Sequence, residues 1–192
     1  MSGSSCFPLY PLLSLYEVYV MKQKQIMLLR HAQAEASSHG GDFGRKLTEN
    51  GQNHVKALAQ KLLELKLLPQ VIISSTAQRA VETSEIVCQL LAIDSEQILY
   101  RDELYHADVG TFLSQLHRLN NRFNLVLIVA HNPALEDLVD FLSTAEFDSE
   151  QPSGKRMLPA TLLMLEFEGK WEDLRAHCCG VTLRQHGKNL IP

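Results

Sequence analysis

The chain has 192 residues, which is enough for one domain with a sizeable hydrophobic core. Hydrophobic residues make up 45% and charged residues 21%, the proportions of an ordinary globular protein. The formal net charge of −4 gives no general reason to expect binding to nucleic acid or to an anionic membrane, so any anion site must be a local group of arginines. The four cysteines form no C-x-x-C pair, which favours reduced thiols in a cytoplasmic protein.

The start of the chain contains an apolar stretch, residues 9–20, that a proline and a glutamate interrupt. The stretch is too short for a membrane helix, and no basic residue precedes it as in a signal peptide. Residues 21–24, directly before the first strand, look like a natural beginning. We therefore expect residues 1–20 to be an extension outside the fold and residues 21–192 to form a single domain.

The first predicted strand is an apolar run, residues 26–29, that leads straight into Arg30 and His31. A short continuous run of this kind is typical of a strand buried on both faces, although a buried helix has the same pattern. A loop rich in alanine, serine and glycine follows, and Thr48 is a suitable N-cap for the next helix. The apolar residues at helical spacing in that helix are Val55, Leu58, Ala59, Leu62, Leu63 and Leu65.

Helices and strands alternate along the rest of the chain. The further predicted strands are residues 71–75, 97–100, 125–130 and 161–167, and the further helices run through residues 81–91, 112–119 and 135–142. A turn at residues 169–170 is expected to bring a last strand, residues 171–177, back beside the strand before it. The alternation is typical of an α/β fold with three layers, in which a mostly parallel, mixed sheet has helices on both faces.

Three of the predicted strands lead to side chains suited to binding a phosphoryl group. The first ends in Arg30 and His31, the second is followed by Arg79, and the strand at residues 125–130 ends in His131. Because ligands of such sheets bind outside the carboxyl ends of the strands, we expect these side chains to meet. Arginine offers a planar fork of donors that matches phosphate oxygens, and a neutral histidine can act as a nucleophile.

No acidic cluster with the spacing of metal ligands accompanies these residues. We therefore expect no metal ion or other cofactor, and the arginines would stabilise the charge of the phosphoryl group. The loop at residues 37–41 contains glycines but lacks the Lys-Ser/Thr ending of a P-loop, so it is interpreted as a flap beside the site.

The motifs around these residues resemble those of the histidine phosphatase superfamily, also called the phosphoglycerate mutase-like fold. Leu28-Leu29-Arg30-His31-Ala32 is similar to the Arg-His-Gly signature of that family, and alanine is common at the last position in its branch of SixA-type phosphohistidine phosphatases. The other similar segments are residues 42–51, 74–83, 102–105, 129–136 and 158–161, with the lone Trp171. The resemblance covers residues 25 to about 177 and implies a phosphoglycerate mutase-like fold with phosphatase activity.

The resemblance also implies a role for each matching position. His31 would be the nucleophile that becomes phosphorylated, and Arg30, Arg79 and His131 would hold the phosphoryl oxygens. Arg45 would line the mouth of the pocket or order the loop, with a plain surface salt bridge as the alternative.

Glu103 falls where many members of the family place the general acid that protonates the leaving group, the alternative being an exposed loop carboxylate. A phosphohistidine substrate needs such an acid less, because an imidazole already protonated on its ring leaves readily. His106 is close enough in sequence to reach the mouth of the pocket. The departures from the family pattern, Ala32, Thr76 and Ala130, do not indicate an inactive enzyme.

The leading hypothesis is a metal-independent phosphatase that acts through a phosphohistidine enzyme intermediate. Its substrate would be a phosphorylated protein, such as a histidine phosphotransfer domain, as the resemblance to the SixA-type branch implies. One alternative is a small-molecule phosphomonoesterase for sugar or nucleoside phosphates, and another is a catalytically silent phosphate-binding module. We expect a cytoplasmic monomer that binds neither nucleic acid nor membranes.

Overall fold

The computed structural model describes residues 23–144 and 157–191. The predicted extension, residues 1–20, lies outside these ranges, so the domain boundary stays a prediction. Within the two ranges, every helix is too short or too polar to span a lipid bilayer.

The described residues form strands and α-helices in the alternating order that the sequence predicts. The strands are β1 (Gln23–Arg30), β2 (Val71–Ser75), β3 (Ile98–Arg101), β4 (Leu125–Ala130), β5 (Thr161–Glu168) and β6 (Gly180–His186). The helices are α1 (Glu49–Glu64), α2 (Gln78–Leu90), α3 (Val109–His117) and α4 (Ala134–Leu142).

The strands form one sheet in the order β3-β2-β4-β1-β5-β6. Neighbours among the first four strands of this order are parallel, whereas β5 and β6 are antiparallel additions, so the sheet is mixed as predicted. β4 lies between β1 and β2, with Arg30 paired to Ala130 and Ser74 paired to Val129. The carboxyl ends of β1, β2 and β4 therefore meet at one edge of the sheet.

The side chains of β1 alternate between two hydrophobic cores, one on each face of the sheet. Ile26 and Leu28 pack in the core that contains α3 and α4, whereas Met27 and Leu29 pack in the core that contains α1 and α2. All four side chains are fully buried. Because helices cover both faces, the strand is apolar at every position rather than at every second one.

The predicted apolar face of α1 is confirmed for Val55, Leu58, Ala59 and Leu62, which are buried. Leu63 and Leu65 are instead 47% and 42% exposed. Leu63 lies beside the buried stripe of the helix rather than on it, and Leu65 follows the last helical residue. The predicted N-cap is confirmed, because the Thr48 hydroxyl accepts a hydrogen bond from the Gly51 N–H at 3.0 Å.

The predicted last strand, residues 171–177, is wrong. Trp171–Asp173 forms a 3-10 turn, and the strand that pairs with β5 is β6, further along the chain. The indole Nε1–H of the buried Trp171 donates to the Phe123 carbonyl at 3.0 Å, so this residue anchors a loop in the core. The side chains of β6 are exposed or half-buried, and the strand therefore lacks the apolar pattern that would identify it in the sequence.

Replacing Gly51 by alanine should lower the free energy of unfolding by about 1–3 kcal/mol, the usual cost of overpacking. A Cβ at this position would lie 2.2 Å from the backbone oxygen of Gln33, in the loop that follows His31. Gly110→Ala is the matched control, because it also lies early in a helix and its nearest neighbour would be 3.5 Å away. Urea unfolding of both variants measures the difference, and equal stability of the two would contradict the steric argument.

Candidate active site

The four side chains predicted to bind a phosphoryl group lie together at the carboxyl edge of the sheet. The ring centroids of His31 and His131 are 5.0 Å apart, and Arg79 Nε lies 3.2 Å from His31 Nε2. The two histidines follow the paired strands β1 and β4, Arg30 is the last residue of β1, and Arg79 is in the first turn of α2. The parallel register of the strands therefore assembles the group.

Hydrogen bonds determine which nitrogen of His31 can act as a nucleophile. Its Nδ1 lies 2.8 Å from the backbone oxygen of Ala32, which can only accept, so Nδ1 carries the ring proton. Nε2 then has a free electron pair, and this pair accepts a hydrogen bond from Arg79 Nε–H. Because the unprotonated nitrogen is the nucleophilic one, Nε2 is the atom suited to attack phosphorus.

One ring nitrogen of His131 is engaged, and the other has no partner. The Ser75 hydroxyl lies 2.9 Å from His131 Nε2 and also accepts from the Ala77 N–H at 3.3 Å. His131 Nδ1 is a buried atom without a hydrogen-bond partner among the described residues. A buried polar atom that lacks a partner beside a nucleophile is available to a bound ligand.

Arg30 contributes an unpaired donor. Its Nη1 donates to the backbone oxygen of Met157 at 2.8 Å, which also accepts from the Asn132 side chain at 2.9 Å. Its buried Nε has no hydrogen-bond partner in the described part of the chain. The side chain is thus held in position while its Nε–H remains available to an oxyanion.

Arg79 is buried, and all three nitrogens of its guanidinium are engaged. Nη1 donates to the backbone oxygen of Asp42 at 2.6 Å, Nη2 donates to Asp42 Oδ2 at 2.9 Å, and Nε donates to His31. The Nε and Nη2 atoms form the edge of the fork that binds planar or tetrahedral anions bidentately. A phosphoryl group on this edge would replace the hydrogen bond to His31 and so free the electron pair of Nε2.

Burial and the neighbouring cations keep both histidines neutral. Burial is the main cause that lowers the pKa of His31 to about 3, with His131, Arg79 and Arg30 lowering it further against the hydrogen bond to Ala32. Burial, and then Arg79, lowers the pKa of His131 to about 4. At neutral pH the site therefore holds an uncharged imidazole nucleophile between two arginines.

Comparison with known proteins gives a family match for the sequence and a match for the fold. The sequence model of the histidine phosphatase superfamily (branch 1) matches residues 26–118. A structure assigned as the phosphohistidine phosphatase SixA from Nakamurella multipartitia is 28% identical, with a TM-score of 0.72 over 85% of this chain and 96% of that one. No curated protein sequence matches the chain.

The chain belongs to the histidine phosphatase superfamily. The fold is accordingly phosphoglycerate mutase-like, as predicted, and the protein is a phosphatase.

Two more distant structures share the fold. The protein histidine phosphatase SixA complexed with tungstate is 24% identical, with a TM-score of 0.73 over 87% of this chain and 99% of that one. A mycobacterial glucosyl-3-phosphoglycerate phosphatase is 16% identical, with a TM-score of 0.58 over 84% and 98%.

The neutral histidines make the stability of this histidine phosphatase depend on pH. The folded pKa of His31 is about 3 and that of an unfolded histidine is 6.5, so the unfolded chain binds more protons between these values. Stability should therefore be complete above pH 6.5 and fall as the pH is lowered towards 3. His31→Asn should reduce the slope of the unfolding free energy against pH between pH 7 and 5. The reduction should correspond to the uptake of up to about one proton on unfolding. An unchanged slope in denaturant titrations would contradict the lowered pKa.

Arg45 lies at the mouth of the phosphatase site, where it contacts the loop and not the histidines. Its Nη1 donates to Asp42 Oδ1 at 2.8 Å, and its Nε donates to the backbone oxygen of Glu35. These contacts order the loop that covers Arg79. A direct contact of Arg45 with the phosphoryl group stays a prediction.

Glu103, the predicted general acid, is exposed on the segment after β3. It lines an open cavity of about 500 Å³ together with Arg101 and Arg118. In the two described ranges, no hydrogen bond joins it to either site histidine or to Arg79. Its role as an acid stays a prediction, and none of the four predicted phosphoryl-binding residues lines this cavity.

His106 reaches the mouth of the site through its neighbour. Its ring packs against Tyr105 at 4.3 Å between centroids, and Tyr105 stands edge-on to His131 at 5.6 Å. The positive charge that His106 can carry is one of the smaller contributions that lower the pKa of His131.

Sequence reasoning assigned no role to Asp42, Tyr105 or Ser75, although all three lie in segments that resemble the family. Asp42 joins Arg79 to Arg45 and also accepts from the Tyr105 hydroxyl at 2.8 Å. The charged pair at positions 42 and 45 was the available signal in the sequence, because opposite charges three residues apart often interact. No comparable signal marks Tyr105 or Ser75.

The described residues contain no group of three or more histidine, cysteine or carboxylate side chains that could hold a metal ion. Cys88, Cys178 and Cys179 are free thiols. The chemistry that the described site itself offers is covalent catalysis by His31, with charge stabilisation by arginines.

Proposed function

We propose that this histidine phosphatase removes the phosphoryl group from phosphohistidine in another protein, such as a phosphotransfer domain. The proposal rests on one observation above all, the neutral His31 whose unprotonated Nε2 faces the donor edge of Arg79. In the first step Nε2 would bond to phosphorus while the phosphorus–nitrogen bond of the substrate breaks and its electron pair returns to the leaving imidazole. Water would then hydrolyse phospho-His31 and release phosphate.

The choice of phosphohistidine is supported by the carboxyl groups near the site. An ester oxygen needs a proton as it leaves, whereas an imidazole that carries a proton on its other nitrogen leaves as a neutral molecule. Glu103 lines a cavity that none of the phosphoryl-binding residues lines. Asp42 is ionised, because hydrogen bonds from Arg45 and Tyr105, together with Arg79, hold its pKa well below the usual range. The site therefore suits a leaving group that needs no acid.

The mouth of the site suits a substrate carried by a protein. Phe43 is 44% exposed and stands edge-on to Tyr105 at 5.1 Å, so a pair of contacting aromatic rings lies at the entrance. A phosphorylated side chain could enter beside this pair while its own protein rests on the surface around the rings. The alternative, a phosphomonoesterase for sugar or nucleoside phosphates, would act through the same His31.

The test is to compare a phosphohistidine-bearing phosphotransfer domain with a panel of sugar and nucleoside phosphates, and to trap any phospho-enzyme. We expect release of phosphate mainly from the protein substrate, through an acid-labile phosphohistidine on the enzyme. Turnover mainly of small esters would favour the alternative. A chelator should leave the activity unchanged, and strong inhibition by it would contradict the metal-independent mechanism.

A further inference from the structure

Asp42 lies at the far end of the donor edge from the nucleophile. The Nε end of the Arg79 edge donates to His31 Nε2 at 3.2 Å, and the Nη2 end donates to Asp42 Oδ2 at 2.9 Å. A phosphoryl group bound to this edge would sit between the two acceptors. Because displacement at phosphorus is in line, the leaving group would depart on the side away from His31, which is the side of Asp42.

Asp42 has anchors that persist when a phosphoryl oxygen takes the Nη2 hydrogen bond. Its Oδ1 accepts from Arg45 at 2.8 Å, its Oδ2 accepts from the Tyr105 hydroxyl at 2.8 Å, and its backbone oxygen accepts from Arg79 Nη1. The next residue adds a further anchor, because the Phe43 backbone oxygen accepts from the Gln78 N–H at 3.0 Å. The carboxylate would thus remain beside the leaving group.

The carboxylate also has acceptor capacity to spare. Its two oxygens can accept about four hydrogen bonds, whereas its known donors are Arg45, Tyr105 and Arg79. The side chain is 52% exposed at the mouth of the site, so the remaining position is open to a ligand. A substrate N–H could donate to it.

The geometry points to Asp42 as a residue that determines specificity, by accepting a hydrogen bond from the ring N–H of a protonated phosphoimidazole. This inference rests on the proposed phosphohistidine activity. The ring nitrogen remote from phosphorus carries a proton only in the cationic form, which is also the form whose imidazole leaves neutral. Asp42 would therefore select the reactive form, whereas the oxygen of a phosphate ester has no N–H to offer and gains nothing from this carboxylate.

The test compares wild type with Asp42→Asn on three substrates: N-phosphoimidazole, its analogue methylated on the remote nitrogen, and p-nitrophenyl phosphate. Asparagine keeps the shape of the side chain but lacks its charge. We expect kcat/KM for N-phosphoimidazole to fall by about 10- to 100-fold, the usual effect of losing a hydrogen bond to a charged group. The value for the ester should change by less than about threefold, because the ester has neither an N–H nor a positive charge to offer. The methylated analogue keeps the positive charge but cannot donate, so its value should fall by less than the value for N-phosphoimidazole.

Asp102→Asn is the matched control, because Asp102 is exposed and lines a cavity that neither Asp42 nor any of the four phosphoryl-binding residues lines. It should leave all three substrates unchanged. An equal loss on all three substrates in Asp42→Asn would mean that Asp42 acts only through Arg79, and would overturn the inference. An Asp42→Asn enzyme that keeps the wild-type preference for N-phosphoimidazole over its methylated analogue would also overturn the inference.

Two results with wild type keep this inference separate from the proposed function. Failure of the wild-type enzyme to hydrolyse N-phosphoimidazole and phosphohistidine-bearing proteins would refute the proposed function itself. Hydrolysis of N-phosphoimidazole with no preference over the methylated analogue, after correction for their spontaneous hydrolysis, would refute only the role of Asp42. This comparison needs no variant and holds even where Asp42→Asn is poorly folded.

Discussion

His31→Ala should lower kcat/KM by about 10⁴-fold or more and abolish the phospho-enzyme, because alanine offers no atom to form the covalent intermediate. The remaining donors of the site would still bind phosphate, so the affinity for inorganic phosphate as an inhibitor should change far less than the rate. Steady-state kinetics and acid-quench trapping with a radiolabelled substrate measure the two effects.

His39→Ala is the matched control for this prediction. His39 is exposed in the loop that follows β1, and no side-chain hydrogen bond of His39 is found among the described residues, so its loss should leave both the rate and the phospho-enzyme unchanged. Retention of a labelled phospho-enzyme in His31→Ala would place the nucleophile elsewhere. A stability close to that of wild type is needed in both variants, and thermal unfolding checks it.

Arg79→Lys should lower kcat/KM by about 10²- to 10³-fold, although the positive charge is retained. The guanidinium joins His31 Nε2 to Asp42 Oδ2 across one planar edge, and an ammonium group cannot reproduce that bidentate geometry. The loss should appear mainly in kcat, because the fork is best matched to the phosphoryl group as it is transferred.

Arg118→Lys serves as the control, because Arg118 is exposed in a cavity that none of the four phosphoryl-binding residues lines, and no side-chain hydrogen bond of Arg118 is found among the described residues. It should keep the activity of wild type. An Arg79→Lys enzyme with nearly normal kcat would show that a positive charge at this position is sufficient for catalysis. It would contradict the requirement for the geometry of the fork.

The site places an uncharged histidine nucleophile beside positively charged arginines. His31 and His131 are neutral because they are buried beside arginines, and the same arginines attract the phosphoryl group. Activity should therefore not fall through protonation of His31 when the pH is lowered from 7 to 5. A loss in that range would come from the substrate or from another group.

Much of the fold and the composition of the site could be predicted from the sequence, because both depend on local patterns. The runs at residues 26–29 and 125–130 are apolar at every position, which identifies strands buried on both faces. Arg30, His31 and His131 directly follow such strands, so their meeting at one edge follows from parallel pairing. β6 escaped prediction because its exposed side chains carry no apolar pattern.

Only the tertiary structure decided how the site residues are connected. The proton position on His31 depends on a backbone oxygen, and the place of Asp42 depends on contacts with Arg79 and Tyr105, which are 37 and 63 residues away. Residue types along a sequence do not specify such contacts, because hydrogen bonds over long separations exist only after the chain has packed. The sequence by itself determined which groups could bind and attack a phosphoryl group. The fold determined which atom of His31 is free to attack and which carboxylate stands at the mouth of the site.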